Sequence, residues 1–320
     1  MKLFLIAALA FVALANAGPI AEDEPKNGYI FMPDGDGYPH LVDLTETSYE
    51  TPELIQRSIN DISFNLYTKQ NPSKAQVITL NSASSVTKSN FRANRPTRFV
   101  THGWRSSGSS DACVLPRNAY LATGDYNVIV VDWKKTAGNL IYPTAAKNVA
   151  AVAARVSQFL NFMHKVAGLN FGTTMLVGHS LGAHVSGLAA RGASGTIQAV
   201  VALDPARPNF DHVGDDKRVS KSDAAYVEVI HTNAGLLGLK EKLGHSDFFP
   251  NGGKAQPGCG LDLAGSCSHG RSYEYFAESI RNPTGFRAAS NVYMGGRTLN
   301  TRIKGSYTFN TNSKSPYARG

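Results

Sequence analysis

The chain of 320 residues has only three cysteines, Cys113, Cys259 and Cys267. They show neither the C-x-x-C spacing nor the histidine partners of a zinc site, so none is expected. Long apolar runs are equally scarce. After residue 14 nothing approaches eighteen uninterrupted apolar residues, which excludes a membrane-spanning helix of ordinary length there. No Asn-x-Ser/Thr sequon occurs, because Asn71-Pro72-Ser73 and Asn282-Pro283-Thr284 carry the disallowed proline. Basic runs never exceed two residues despite a net charge of +8, so no nucleic-acid partner is expected. A Pro/Ser-rich linker, a low-complexity tract and an internal repeat are all lacking, which favours one compact domain.

The long apolar run that does occur is at the start. Met1-Lys2, an apolar stretch from Leu3 to Leu14 and Ala15-Asn16-Ala17 have the layout of a secretory signal peptide over residues 1–17. Its removal with Lys2 lowers the net charge from +8 to +7. An exported, mildly basic protein gains association rate at anionic surfaces such as a charged membrane or micelle. Residues 18–50 are polar and proline-bearing and predict an extended lead-in or a propeptide, with a catalytic domain over 51–320. In an oxidising compartment Cys259 and Cys267 are the natural disulfide pair, closing a seven-residue loop for roughly 2–3 kcal/mol of chain-entropy stabilisation. Cys113 is then left as a buried free thiol.

From residue 98 onward the pattern alternates. Arg98-Phe99-Val100-Thr101, Asn127 to Trp133, Thr174-Met175-Leu176-Val177, Ala199 to Leu203 and Tyr226 to Ile230 are short apolar runs of strand length. Between them, Pro143 can open a helix, and Val149, Val152, Val156, Phe159, Met163 and Val166 recur at helical steps. The alternation predicts an α/β fold with a mostly parallel sheet covered on both faces, whose chemistry gathers beyond the carboxyl ends of the strands.

Gly178-His179-Ser180-Leu181-Gly182 sits between such a strand and a helix, the setting of a nucleophile elbow. A serine hydroxyl needs a base and the base needs a carboxylate, in the chain order Ser, Asp or Glu, His. Asp204 ends the next strand and is the candidate carboxylate. His212, His231, His245 and His269 all follow it, and order alone does not choose among them; His269 has the advantage of standing two residues after Cys267, where a disulfide would steady its loop. The oxyanion requires backbone donors. Leu181, next to the nucleophile, supplies one, and Trp104 in His102-Gly103-Trp104 is placed to supply the other.

Taken together, Thr101-His102-Gly103-Trp104, Gly178 to His184, Leu203-Asp204-Pro205-Ala206, Val229-Ile230-His231-Thr232, Asp247 to Gly253 and Cys267 to Tyr273 resemble the pancreatic lipase family, in its order and over roughly residues 50 to 320. Within that family the chain looks most like secreted insect members, a mixed group of phospholipases A1, neutral lipases and yolk-type relatives. The resemblance implies an α/β-hydrolase fold, a Ser180–Asp204–His269 triad and an oxyanion hole from Trp104 and Leu181. It identifies the Cys259–Cys267 segment as a lid, far shorter than in triacylglycerol lipases, and the Asn233–Leu243 loop as shortened too. Short versions of both imply phospholipase A1 activity, because less cover leaves room for a charged head group. Leu261 and Leu263 on the lid, with Leu236, Leu237 and Leu239 facing them, would form an apolar rim that meets lipid.

The chain also departs from the pancreatic pattern. It ends at Gly320, where the pancreatic enzymes continue into a β-sandwich, so neither that domain nor a colipase partner is expected. At the family's calcium loop Asp215, Arg218 and Asp223 have counterparts but Ser220 replaces a usual aspartate, so no metal or other cofactor is expected. Cys113 has lost the partner it would have in the family. The expected activity is therefore lipid-ester hydrolysis at a membrane or micelle surface, by a phospholipase A1 cutting the sn-1 ester. The alternatives are a triacylglycerol or galactolipid lipase, or a non-catalytic yolk-type lipid-binding protein.

Overall fold

The apolar runs assemble into one twisted sheet in the computed structural model, which describes residues 28–46 and 50–320. The signal-peptide reading of residues 1–17, and residues 18–27 and 47–49 of the expected lead-in, lie outside the described residues.

Thirteen strands are formed among the described residues. A hairpin comes first, β1 (Tyr29–Pro33) against β2 (Pro39–Asp43). The main sheet contains β3 (Ser63–Tyr67), β4 (Gln76–Ile78), β5 (Thr97–Thr101), β6 (Asn127–Asp132), β7 (Thr174–His179), β8 (Ala199–Leu203), β9 (Val227–Ile230) and β10 (Ser246–Pro250). A small pair follows, β11 (Arg287–Ala289) and β12 (Val292–Tyr293), and then β13 (Gly305–Phe309), which joins the main sheet. The nine-stranded order is β13-β10-β9-β8-β7-β5-β6-β3-β4. Only the two pairings made by β3 are antiparallel.

The main helices are α1 (Pro52–Asn60), α2 (Asp111–Thr123), α3 (Val149–Ala167), α4 (Leu181–Arg191) and α5 (Ser266–Arg281). Successive strand side chains point to opposite faces, and each face has its own core. Leu176, Val200 and Ala202 pack with α3 and α4. Met175, Val177, Val201 and Leu203 pack with α2 and α5. This is the α/β-hydrolase arrangement expected from the sequence. The predicted apolar face of α3 is buried through Met163, but Val166 in its last turn is exposed.

Residues 28–46 depart from the expected extended lead-in. They form the β1–β2 hairpin, which buries Ile30, Met32 and Val42 in the core shared with α3 and α4. Its turn is closed by Asp34, whose Oδ1 accepts from the Asp36 and Tyr38 N–H groups, both at 3.0 Å. The last residue of the expected lead-in is bonded to the chain beyond it. Glu50 accepts from Asn139 at 2.9 Å and Asn148 at 2.7 Å.

Candidate active site

Ser180 has φ 57° and ψ −124°, a region a non-glycine residue rarely occupies. Its backbone is tied on both sides, by Ser180 N–H to Leu203 O and Ala183 N–H to Ser180 O, each at 3.0 Å. The flanking glycines make the turn possible. A Cβ on Gly178 would lie 2.0 Å from Gly182 O, and one on Gly182 would lie 2.4 Å from His102 O. Strain of this kind costs of order 1–3 kcal/mol and persists only where the surroundings over-determine it. Here β8, buried throughout, and β7, buried up to His179, supply that constraint.

Asp204 leaves β8 with φ 42° and is fully buried. Its Oδ1 accepts from Thr232 N–H at 2.8 Å and Asn233 N–H at 3.0 Å. Its Oδ2 accepts from His269 Nδ1 at 2.6 Å, sixty-five residues away in sequence. A carboxylate only accepts, so Nδ1 carries the proton and Nε2 is left free to act as a base.

His269 rides on the first turn of α5. The Cys259–Cys267 disulfide is formed, with an S–S distance of 1.97 Å. A second restraint escaped the sequence reading. The Asp262 carboxylate, from inside the disulfide loop, accepts from Cys267 N–H at 3.2 Å and Ser268 N–H at 2.7 Å. It thereby caps the exposed donors of the helix that carries His269.

Ser180 and His269 line one cavity of about 320 Å³ together with Gly103, Trp104 and His179. Among the described residues no hydrogen bond joins the two, as is common before substrate tightens a site. The backbone N–H groups of Trp104 and Leu181 donate to no protein acceptor among the described residues. The Trp104 loop is held rigidly. Trp104 Nε1 donates to Asn139 O and Trp133 Nε1 to His102 O, both at 2.8 Å. His102 Nε2 accepts from Trp133 N–H at 3.1 Å.

Two further histidines of the elbow motif have structural surroundings. His179 lies 4.4 Å, ring to ring, from His269. Burial, and then the neighbouring His269, hold its pKa well below the ordinary histidine range, so it stays neutral beside that ring. His184 donates through Nε2 to Ala206 O at 2.8 Å and accepts at Nδ1 from Val219 N–H at 3.2 Å. Burial lowers its pKa to about 3. It ties α4 to the segment just after Asp204. His231 is buried between Leu239 O and Asp247, and His245 Nδ1 accepts from Val227 N–H; His212 lines a different cavity.

The expected apolar rim is only partly present. Leu261 is 86% exposed, and Leu263 and Leu236 also reach solvent. Leu237 and Leu239 do not belong to the rim, since both are fully buried in the core. The Asn233 side chain explains this. Its Oδ1 accepts from Leu237 N–H at 3.0 Å, closing a tight turn that sends Leu236 out and Leu237 in. The disulfide loop and this loop border a second cavity of about 470 Å³ lined by Leu236, Leu261 and Leu263.

One wall of the Ser180 cavity has no counterpart in the sequence reading. It is formed by the hairpin turn, Asp34 to Gly37, along with Ser109, Ser110 and Asp111. Gly35 N–H donates to Arg105 O at 3.0 Å, and Ser266 Oγ donates to Gly37 O at 2.8 Å. In sequence this segment carries no signal beyond an Asp-Gly-Asp-Gly turn.

The residues resembling a calcium loop do not fit a calcium ion, because a cationic side chain already uses their oxygens. The Arg191 guanidinium donates to Asp223 Oδ1 through Nε at 2.8 Å, to Ser220 Oγ at 3.2 Å and to the carbonyl of Asp215, with Arg218 O at 3.5 Å. Cys113 is a buried free thiol whose pKa burial raises.

Comparison with known proteins gives a consistent picture. A family model described as Lipase matches residues 35–294. The pancreatic triacylglycerol lipase of Myocastor coypus is 37% identical over 249 residues, covering 71% of this chain and 54% of that protein. The inactive pancreatic lipase-related protein 1 of Homo sapiens is 38% identical over 247 residues, covering 70% and 52%. The chain thus spans about half the length of the curated relatives it matches. Among solved structures, MGS-M1, an alpha/beta hydrolase enzyme from a deep-sea metagenome library, is 16% identical with a TM-score of 0.31, over 55% of this chain and 72% of that one.

Proposed function

The chain belongs to the lipase family, and from that premise we propose that it is a secreted carboxylic-ester hydrolase acting on lipid, cutting the sn-1 acyl ester of phospholipids. The observation that carries the reading is the Asp204–His269 contact at 2.6 Å, opening onto the same cavity as a serine held on a strained turn. In the proposed reaction Ser180 Oγ attacks the ester carbonyl while its proton passes to His269 Nε2. Asp204 stabilises the imidazolium, and the Trp104 and Leu181 N–H groups bind the oxyanion. Collapse breaks the bond to the glycerol oxygen, which takes the proton from His269. Water, deprotonated by His269, then attacks the acyl-enzyme and releases the fatty acid and Ser180.

Two features support phospholipid as the substrate. The disulfide loop is short, with a sequence separation of eight. One wall of the Ser180 cavity is polar, with Asp36, Ser109, Ser110 and Asp111. Such a wall suits a hydrated, charged head group and disfavours a third acyl chain. A second reading, triacylglycerol hydrolysis, is favoured by relatives such as the Myocastor coypus pancreatic triacylglycerol lipase.

Side-by-side assay of defined phosphatidylcholine, triolein and monogalactosyl diglyceride separates the substrates. Phosphatidylcholine is expected to release its sn-1 fatty acid fastest, and strong triolein turnover with no phospholipid cleavage would overturn the preference. Ser180→Ala is expected to abolish fatty-acid release; equal release by mutant and parent would remove the hydrolase reading and leave a lipid-binding role.

A further inference from the structure

The outer face of the β1–β2 hairpin carries exposed apolar and aromatic side chains beside one acid, Asp43, which faces Tyr29. Its inner face is occupied, with Ile30, Met32 and Val42 in the core. On the other face Phe31 and Leu41 stand directly opposite each other in the ladder, 50% and 62% exposed. Tyr29 continues this face and Tyr38 stands exposed at the turn. A ribbon already packed on one side gains no folding energy from apolar groups held in water, and contiguous exposed apolar surface marks an interaction site.

The position of this face says what it meets. The hairpin turn is a wall of the cavity that holds Ser180, and it is bonded both to the Trp104 loop, through Gly35 to Arg105, and to the base of the lid, through Ser266 to Gly37. Leu261 and Leu263 stand exposed on that lid. The two segments that carry these exposed apolar side chains are thus joined at the Ser180 cavity, which both Gly37 and Ser266 line. At the tip Asp36 stays exposed, whereas Asp34 is drawn into the turn. Asp34 is engaged by its own turn and by His40 at 2.9 Å, and burial is outweighed by these hydrogen bonds, so its pKa lies below the usual carboxylate range.

We propose that the outer face of the hairpin is a lipid-docking surface, which lies in the interface of a bilayer or micelle and holds the mouth of the Ser180 cavity against it. The inference rests on the lipid-ester reading above. Its occupant is a lipid surface because the same short hairpin lines, with its turn, the cavity in which a lipid ester would react, so a surface that delivers the ester meets the hairpin as well. Shallow insertion of a few apolar side chains is the physics of an interfacially bound protein.

The test uses the full chain in the Ser180→Ala background, so that binding is read without turnover. Phosphatidylcholine vesicles, with and without phosphatidylglycerol, are sedimented with this protein and with the same protein carrying Phe31→Ser and Leu41→Ser. The double substitution is expected to weaken vesicle partition about tenfold or more, with the thermal midpoint unchanged. Unchanged partition would overturn the proposal. A protein that self-associates through this face, losing its dimer but not its vesicle binding on substitution, would also overturn it.

A milder variant guards against misfolding. Phe31→Trp in the Ser180→Ala chain is expected to be quenched by brominated acyl chains; an unquenched, water-like emission in the vesicle-bound protein would overturn the proposal. With Ser180 restored, the ratio of vesicle activity to activity on a soluble short-chain ester is expected to fall about tenfold in the double variant. An unchanged ratio, with both activities lost alike, would show a structural wall instead of a docking face. If the parent hydrolyses no ester at all, the hydrolase reading fails while the sedimentation result still decides docking.

Discussion

At the scale of single residues, Asp204 has the most exacting position in the site. Both carboxylate oxygens are committed, Oδ1 to two backbone N–H donors and Oδ2 to His269. Replacement by asparagine keeps size and most of the packing but offers only one acceptor. The amide oxygen is held by Thr232 and Asn233, which turns the NH₂ group toward His269. The imidazole is then forced to accept at Nδ1 and to carry its proton on Nε2, the wrong tautomer for taking a proton from Ser180. Asp204→Asn is therefore expected to lower kcat on a soluble ester by about 10³–10⁴-fold, with a near-native thermal midpoint. A loss of less than tenfold would show that the carboxylate does not orient the base. Asp262 acts one step further out, through the helix end that carries His269, and belongs to this scale as a positioning residue.

At the scale of elements, what was legible in the sequence follows from what is local. Asn127–Asp132, Thr174–His179 and Ala199–Leu203 are nearly continuous apolar runs because both of their faces are buried, so they could be read directly. The hairpin could not. Only alternate residues are buried and prolines bound both sides of its turn, so it reads as a polar lead-in. The edge strand β13 is illegible for a similar reason; Gly305–Phe309 is half exposed and its pairing partner lies more than fifty residues away. For the site, Ser180 and Asp204 announce themselves at strand ends, whereas His269 meets Asp204 only through the fold, and the inward turn of Leu237 depends on an Asn233 hydrogen bond with no sequence signature. The Arg191 clamp is of the same non-local kind, joining the end of α4 to the 215–223 loop. Because its guanidinium uses the oxygens, a chelator is expected to leave the thermal midpoint unchanged. Arg191→Met strands the buried Asp223 carboxylate and is expected to cost about 3–5 kcal/mol. Adding Ser220→Asp to that variant restores a carboxylate, and calcium should then raise its melting temperature. A chelator-sensitive parent would contradict the clamp.

At the scale of the whole molecule, the two cores meet through a sheet that buries the ionisable side chains of Arg98 in β5, Glu228 in β9 and Asp247 in β10. Glu228 Oε1 accepts from Gly295 N–H at 2.7 Å, which ties the segment following β12 to the sheet. Burial pushes its pKa up to about 8; the Gly295 bond pulls the other way, and the charge of Asp247 adds to the rise. In the unfolded chain the same group has a pKa of about 4.3. The folded state therefore holds a proton that the unfolded state releases. Stability linked to this group is fully present below about pH 4.3 and is lost as pH rises through the folded value. Glutamine keeps the oxygen that accepts from Gly295 and removes the ionisation. Glu228→Gln is accordingly expected to match the parent near pH 4 and to exceed it by about 1 kcal/mol or more at pH 8–9, a rise of a few degrees in thermal midpoint. Parallel pH profiles for parent and variant would mean that the carboxyl is solvated in the folded protein and that the β9 core is wetter than its packing indicates. Because Glu228 stands in the strand next to β8, which ends at Asp204, the comparison also asks whether the sheet itself limits activity at alkaline pH. If it does, the variant should retain ester hydrolysis after incubation at pH 9 under conditions that inactivate the parent, with identical kcat in both at neutral pH.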